Sequence, residues 1–119
     1  TKIKEVTGMN IIVNDVSYKK SDKSTQRVID KGVSKLHARL SEYERSGITI
    51  SCIFNDDTLI HDIIRKKFYV YKCRIDKVQL RILYTIHNDE LIIISHYCKK
   101  QDSKEYISYF EKISCNCSI

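Results

Sequence analysis

Residues 68–100 form three apolar and aromatic runs, with polar and apolar residues alternating over 72–75 and 78–82, whereas apolar residues recur every three or four positions over residues 29–43. A period of two belongs to a half-buried strand, and the wider spacing to one face of a helix. Residues 68–100 divide into Phe-Tyr-Val-Tyr-Lys-Cys-Arg-Ile, Val-Gln-Leu-Arg-Ile-Leu-Tyr-Thr-Ile and Glu-Leu-Ile-Ile-Ile-Ser-His-Tyr-Cys-Lys-Lys. Asp76-Lys77 separates the first two runs, and His87-Asn88-Asp89 the second two. Breaks this short compel antiparallel pairing of neighbours, because a parallel crossover needs about a dozen residues or more. The pattern predicts a three-stranded meander.

The flanking chain supplies the rest of the layout. Residues 1–8 read as a loose start, and the β-branched run in residues 9–18 as a strand. Ser24 or Thr25 is placed to cap a helix whose apolar stripe is Ile29, Val33, Leu36, Leu40 and Tyr43. Gly32 within that stripe marks either a close contact or a break between two helices. Ser46-Gly47 reads as the helix end. Residues 48–54 fit a further strand or an apolar stretch under the helices, and 58–64 a short helix. Asp102 or Ser103 can cap a last helix with Tyr106, Tyr109, Phe110 and Ile113 on its apolar side, leaving residues 114–119 as a flexible tail. The expected fold class is α+β: a small antiparallel-dominated sheet with N-terminal helices and a C-terminal helix packed against it. Residues 1–119 are expected to form a single domain, with no proline and no internal repeat.

Charge sharpens the picture. The net charge is +6, from 21 basic and 15 acidic residues. Residues 65–100 hold 9 basic residues against 3 acidic ones. Such a field suits a polyanionic partner, and it also serves solubility. No run approaches the length of a membrane span, so no membrane partner is expected. The five cysteines, Cys52, Cys73, Cys98, Cys115 and Cys117, form no C-x-x-C pair and suggest no zinc site. Cys73 and Cys98 fall inside strands, where a free thiol acts as a small hydrophobe. A reducing, cytoplasmic location fits this usage.

Strand alternation places Lys72 and Arg74 on one face of their strand, and Arg81 on a face that can meet them. The same alternation groups His96 with Ile92, Ile94 and Cys98. Lysine and arginine can hold a phosphodiester and stabilise charge building on it. A histidine can carry protons near neutral pH. RNA brings its own 2′-hydroxyl nucleophile, so the chemistry needs no metal, and no cofactor is expected. The catalytic candidates are therefore Lys72, Arg74, Arg81 and His96. Arg65, Lys66, Lys67, Lys99 and Lys100 suit backbone contacts, and Tyr84, Tyr97 and Tyr106 suit base stacking. The cations and the histidine have plainer alternatives, as solvated strand cations, ion-pair partners or a structural histidine, and Tyr106 and Tyr109 suit helix packing.

Lys72-Cys73-Arg74-Ile75, Arg81-Ile82-Leu83-Tyr84 and His96-Tyr97-Cys98-Lys99-Lys100 together resemble the C-terminal half of the RelE/ParE toxin superfamily, particularly its HigB-like branch. Lys104 and Glu105 are similar to the family's lysine and helix-opening glutamate. The resemblance covers residues 68–112; over residues 9–67 only the strand-then-helix order matches. It implies a RelE-like fold and a toxin of a type II toxin–antitoxin pair that cuts translated mRNA on the ribosome. The 2′-hydroxyl would attack its own phosphate, leaving a 2′,3′-cyclic phosphate and a 5′-hydroxyl. Carried over by position, Arg74 and Arg81 would hold the phosphate, supported by Lys72, and His96 would transfer protons. The implied partners are mRNA, the ribosome and a cognate antitoxin protein. Three features depart from the family pattern: Asp102-Ser103-Lys104 replaces a Lys-Thr-Pro step, Cys98 replaces a bulky apolar residue, and the tail carries Cys115-x-Cys117. A non-catalytic RNA- or ribosome-binding module, or a gyrase-targeting toxin of the same fold, stands as the alternative.

Overall fold

The computed structural model describes residues 10–45, 53, 55–99 and 104–117. The elements run β1 (Asn10–Val13), α1 (Val16–Lys20), α2 (Lys23–Arg45), β2 (Asp62–Ile64), β3 (Phe68–Ile75), β4 (Val78–His87), β5 (Glu90–Lys99) and α3 (Glu105–Cys115). The strands form one sheet in the order β1-β5-β4-β3-β2. β1 pairs parallel with β5, and the other three pairings are antiparallel. The α+β architecture is thus as the sequence predicts, with β1 at an edge.

The meander forms because its turns suit tight hairpins. Asp76 and Lys77 both have positive φ, 49° and 70°, and Asn88 and Asp89 have 51° and 61°. Left-handed pairs of this kind match the twist of two-residue hairpins, and Asp and Asn tolerate them best after glycine. β2 extends the meander at its far edge, pairing Asp62 with Val70 and Ile64 with Phe68. The short helix expected over residues 58–64 is therefore a turn followed by a strand. Leu59, Ile60 and Ile64 have helix-like spacing, but the open edge of β3 supplies backbone partners that a single helical turn would lack.

Both faces of the sheet are covered. Val28, Ile29, Val33, Leu36 and Leu40 of α2 pack with Tyr71, Leu80, Ile82 and Ile93. Tyr106 and Phe110 of α3 pack with Phe68, Val70, Leu83, Ile92 and Ile94 on the opposite face. β4, between them, is buried at every residue from Leu80 to Thr85.

Local chemistry sets the helix boundaries. The β-branched run expected to reach residue 18 is a strand only to Val13; the Asp15 side chain accepts from the Ser17 N–H and starts α1 instead. For α2 the capping side chain is Asp22, not Ser24 or Thr25: it accepts from the Thr25 N–H at 2.8 Å. That bond holds the Asp22 carboxyl below the usual range. The expected end at Ser46-Gly47, most of residues 48–54, and the Asp102 or Ser103 cap lie outside the described residues. α3 continues into the expected tail, through a buried Ser114 to Cys115.

Gly32 is a close contact within one continuous helix. A Cβ there would lie 2.3 Å from Leu80 Cδ2 and 3.3 Å from Ile82 Cδ1. Alanine would gain about 1 kcal/mol of helix propensity. Forcing the fully buried Leu80 aside costs about 1–3 kcal/mol. Gly32→Ala is expected to lower stability by about 1 kcal/mol in chemical denaturation; a rise would show that the helix–sheet contact yields freely.

Candidate functional site

The register of β3, β4 and β5 decides which candidate residues meet. Lys72 pairs with Arg81, and Arg81 with Tyr97. In the next row Arg74 pairs with Gln79, and Gln79 with Lys99. Cross-strand partners share a face, so Lys72, Arg74, Arg81 and Tyr97 all lie on the side covered by α3. Arg74 is exposed and Lys72 half-buried.

Arg81 is only 2% exposed. Its guanidinium lies 5.5 Å from the centroid of the Tyr106 ring. Nη1 donates to the Leu80 carbonyl at 3.2 Å and to Gln79 Oε1 at 3.4 Å. The Tyr106 hydroxyl in turn donates to Asp62. A buried charge is costly unless its donors and its field are met, and a desolvated cation over an aromatic face gains about 2 kcal/mol. The cation is therefore built into the α3 interface. Beside it, Tyr97 stacks against Tyr109 with centroids 5.7 Å apart, and its hydroxyl donates to Glu105 Oε2 at 2.8 Å. The side thus joins three cations to a phenol whose proton is directed at a carboxylate. Cations and a hydrogen-bonded phenol are the kinds of group that phosphodiester binding and proton transfer use.

His96 does not join this group. The β4–β5 register shifts between Leu83 and Tyr84: Leu83 pairs with Ser95, and Tyr84 with Ile93. The irregularity at Ile94 moves Ser95 and Tyr97 to the α3 side and places His96 opposite Ile82, on the α2 side. Strict alternation had put His96 with Ile92 and Ile94. Its side chain is 10% exposed and bonds through Nδ1 to Asp15, with Ser17 Oγ at 3.3 Å from the same nitrogen. Ser17 Oγ also donates to Asp15 Oδ1 at 2.6 Å. Asp and Ser share one ring nitrogen, so the trio is not a nucleophile relay, which uses both. It ties α1 to β5 beside a cavity of about 490 Å³.

Tyr84 does not reach a surface. It is fully buried on the α2 side, its hydroxyl donates to the Leu59 carbonyl at 2.7 Å, and burial pushes its pKa far up. Its expected role in base stacking is corrected to a core role. Arg65, Lys66 and Lys67 are exposed in the β2–β3 turn, about 17 Å along β3 from Lys72 at strand spacing. Arg65 contacts Cys115 Sγ, and Lys67 Nζ lies 5.4 Å from the Phe68 centroid. Lys99 ends β5 beside Gln79, and Lys100 lies outside the described residues. Cys73 behaves as the expected small hydrophobe, its thiol pushed up by burial to about 11. Among the described residues no group of three or more His, Cys, Asp or Glu side chains is placed to hold a metal ion. No helix among them is long and apolar enough to cross a membrane.

Sequence reasoning missed Asp15 and the ring of Tyr106 under Arg81. The signal for Asp15 was present: Asp-x-Ser after a β-branched run is a helix start. Nothing local could pair Arg81 with a tyrosine 25 residues later. The chain matches no protein-family model, no curated protein and no solved structure.

Truncating Arg81 removes both a large buried side chain and its ring contact. Arg81→Ala is expected to cost about 3 kcal/mol, whereas Lys72→Ala should stay within about 1 kcal/mol. Urea titration of both variants checks this, and equal small losses would contradict a built-in Arg81.

Proposed function

We propose that the protein is an endoribonuclease toxin of the kind that the RelE/ParE resemblance implies, cutting translated mRNA by attack of the 2′-hydroxyl on its own phosphate. The observation that carries this reading is the row Lys72–Arg81–Tyr97, with Arg74 alongside and the Tyr97 hydroxyl bonded to Glu105. Lys72 and Arg74 hold the phosphate oxygens, and Arg81 fixes positive charge behind them. The phenol oxygen of Tyr97 takes the 2′-hydroxyl proton as its own proton passes to Glu105. The new 2′-oxygen–phosphorus bond displaces the 5′-oxygen, which takes a proton from the Lys72 ammonium. The products are a 2′,3′-cyclic phosphate and a 5′-hydroxyl. A cognate antitoxin would cover the same basic face, and the ribosome would present the mRNA.

One observation favours the alternative of a non-catalytic RNA- or ribosome-binding module. Arg81 is held in the core against Tyr106, as a cation with a structural role would be.

Mapping RNA 5′ ends after induction separates the two. Wild-type protein should create new 5′-hydroxyl ends inside coding regions. Tyr97→Phe and Lys72→Ala should each reduce them at least about 100-fold, while folded His96→Gln should leave them within a few-fold. Intact RNA bound with a salt-sensitive affinity would select the binding module. Loss of cutting with His96→Gln alone would move the chemistry to the other face.

A further inference from the structure

Lys23, Arg27, Lys31, Lys35 and Arg39 stand four residues apart along α2. At helical rise this puts a cation about every 6 Å over about 24 Å. Like charges at this spacing cost a helix about 0.2–0.5 kcal/mol per pair, so the stripe opposes the stability of α2. Carboxylates offset only part of it. Lys31 bonds to Asp76 at 3.1 Å and Arg39 to Asp56 at 3.0 Å. Lys23, Arg27 and Lys35 form no ion pair among the described residues, and all three are exposed.

The stripe does not lie on a bare helix surface. Arg27, Lys31 and Lys35 line a groove of about 500 Å³ between α2 and the β3–β4 turn, with Asp30, Asp76 and Arg74. Arg74 also belongs to the Lys72–Arg81 side of the sheet. It therefore joins the groove to the candidate site around the end of the hairpin.

We propose that this groove is a second phosphate-binding track, which holds the flanking part of the same RNA strand whose phosphate sits at Lys72 and Arg74. The proposal rests on the reading of that site as an RNA site. The strand passes Arg74 at the hairpin end and continues past Lys35, Lys31 and Arg27. The helical step is comparable to the separation of neighbouring phosphates on a single strand. Contacts of this kind position the backbone and read no sequence.

The test is fluorescence-anisotropy binding in a Tyr97→Phe background, with a single-stranded RNA of about 12 nucleotides. Arg27→Ala/Lys31→Ala/Lys35→Ala is compared with its parent from low to moderate salt. Losing three phosphate contacts should make the log–log salt slope shallower by about 2 and weaken binding at least about 10-fold at moderate salt. A trinucleotide, too short to span both regions, should bind both proteins alike. If the triple variant fails to fold, Arg27→Ala/Lys35→Ala removes two cations that make no ion pair among the described residues and should lower the slope by about 1. Unchanged slope and affinity would overturn the track. So would polyglutamate displacing the RNA equally well at matched charge, which would mark an acidic-protein contact. Weakened binding by the triple variant, together with wild-type protein that creates no new RNA 5′ ends on induction, would keep the track and remove the cleavage reading.

Discussion

β4 is buried on both faces, and that burial sets where α2 and α3 pack. Its side chains from Leu80 to Thr85 are all buried, and alternation sends them in turn toward α2 and α3. A strand of this kind should carry only apolar residues. Arg81 breaks that rule, and the sheet accommodates it by bringing Tyr106 over the guanidinium and Asp62 to the Tyr106 hydroxyl. A charge in such a place adds a contact between α3 and the sheet beside the apolar packing of Phe110. It also fixes one cation where two more accessible ones, Lys72 and Arg74, stand beside it.

The bulge in β5 divides the chemistry. One extra residue near Ile94 turns Tyr97 toward the cations and His96 away from them. A slip of one residue reverses every side chain beyond it. The same bulge therefore gives the α3 side a phenol–carboxylate pair, Tyr97 and Glu105, and leaves the histidine to fasten α1 through Asp15. Two groups next to each other in sequence thus serve unrelated purposes.

The fold was legible where local signals agreed with one another. The three long strands were β-branched and aromatic runs separated by short polar breaks whose residues tolerate positive φ, and α2 and α3 had clean apolar stripes. β2 was not legible because three residues carry no period, and pairing with the β3 edge decides their conformation. The bulge was hidden because Leu91, Ile92, Ile93 and Ile94 are all apolar, so no change of phase shows in the pattern. Alternation allowed Lys72, Arg74 and Arg81 to converge if the faces agreed across the pairs, and the register supplies that agreement. Their separation from His96, and the burial of Tyr84, required the register and the packing. The cationic stripe of α2 was in the sequence at a spacing of four, masked by the apolar stripe beside it.

The side proposed to face RNA is the one shared by Lys72, Arg74 and Tyr97, with His96 on the opposite side of the sheet. An NMR titration with a short non-cleavable RNA carrying a 2′-deoxy residue at the scissile position tests it directly. The largest amide shifts are expected at Lys72, Arg74, Tyr97 and Glu105, with Asp15 and His96 unmoved. Shifts centred on Asp15, Ser17 and His96, with the cation row silent, would contradict it.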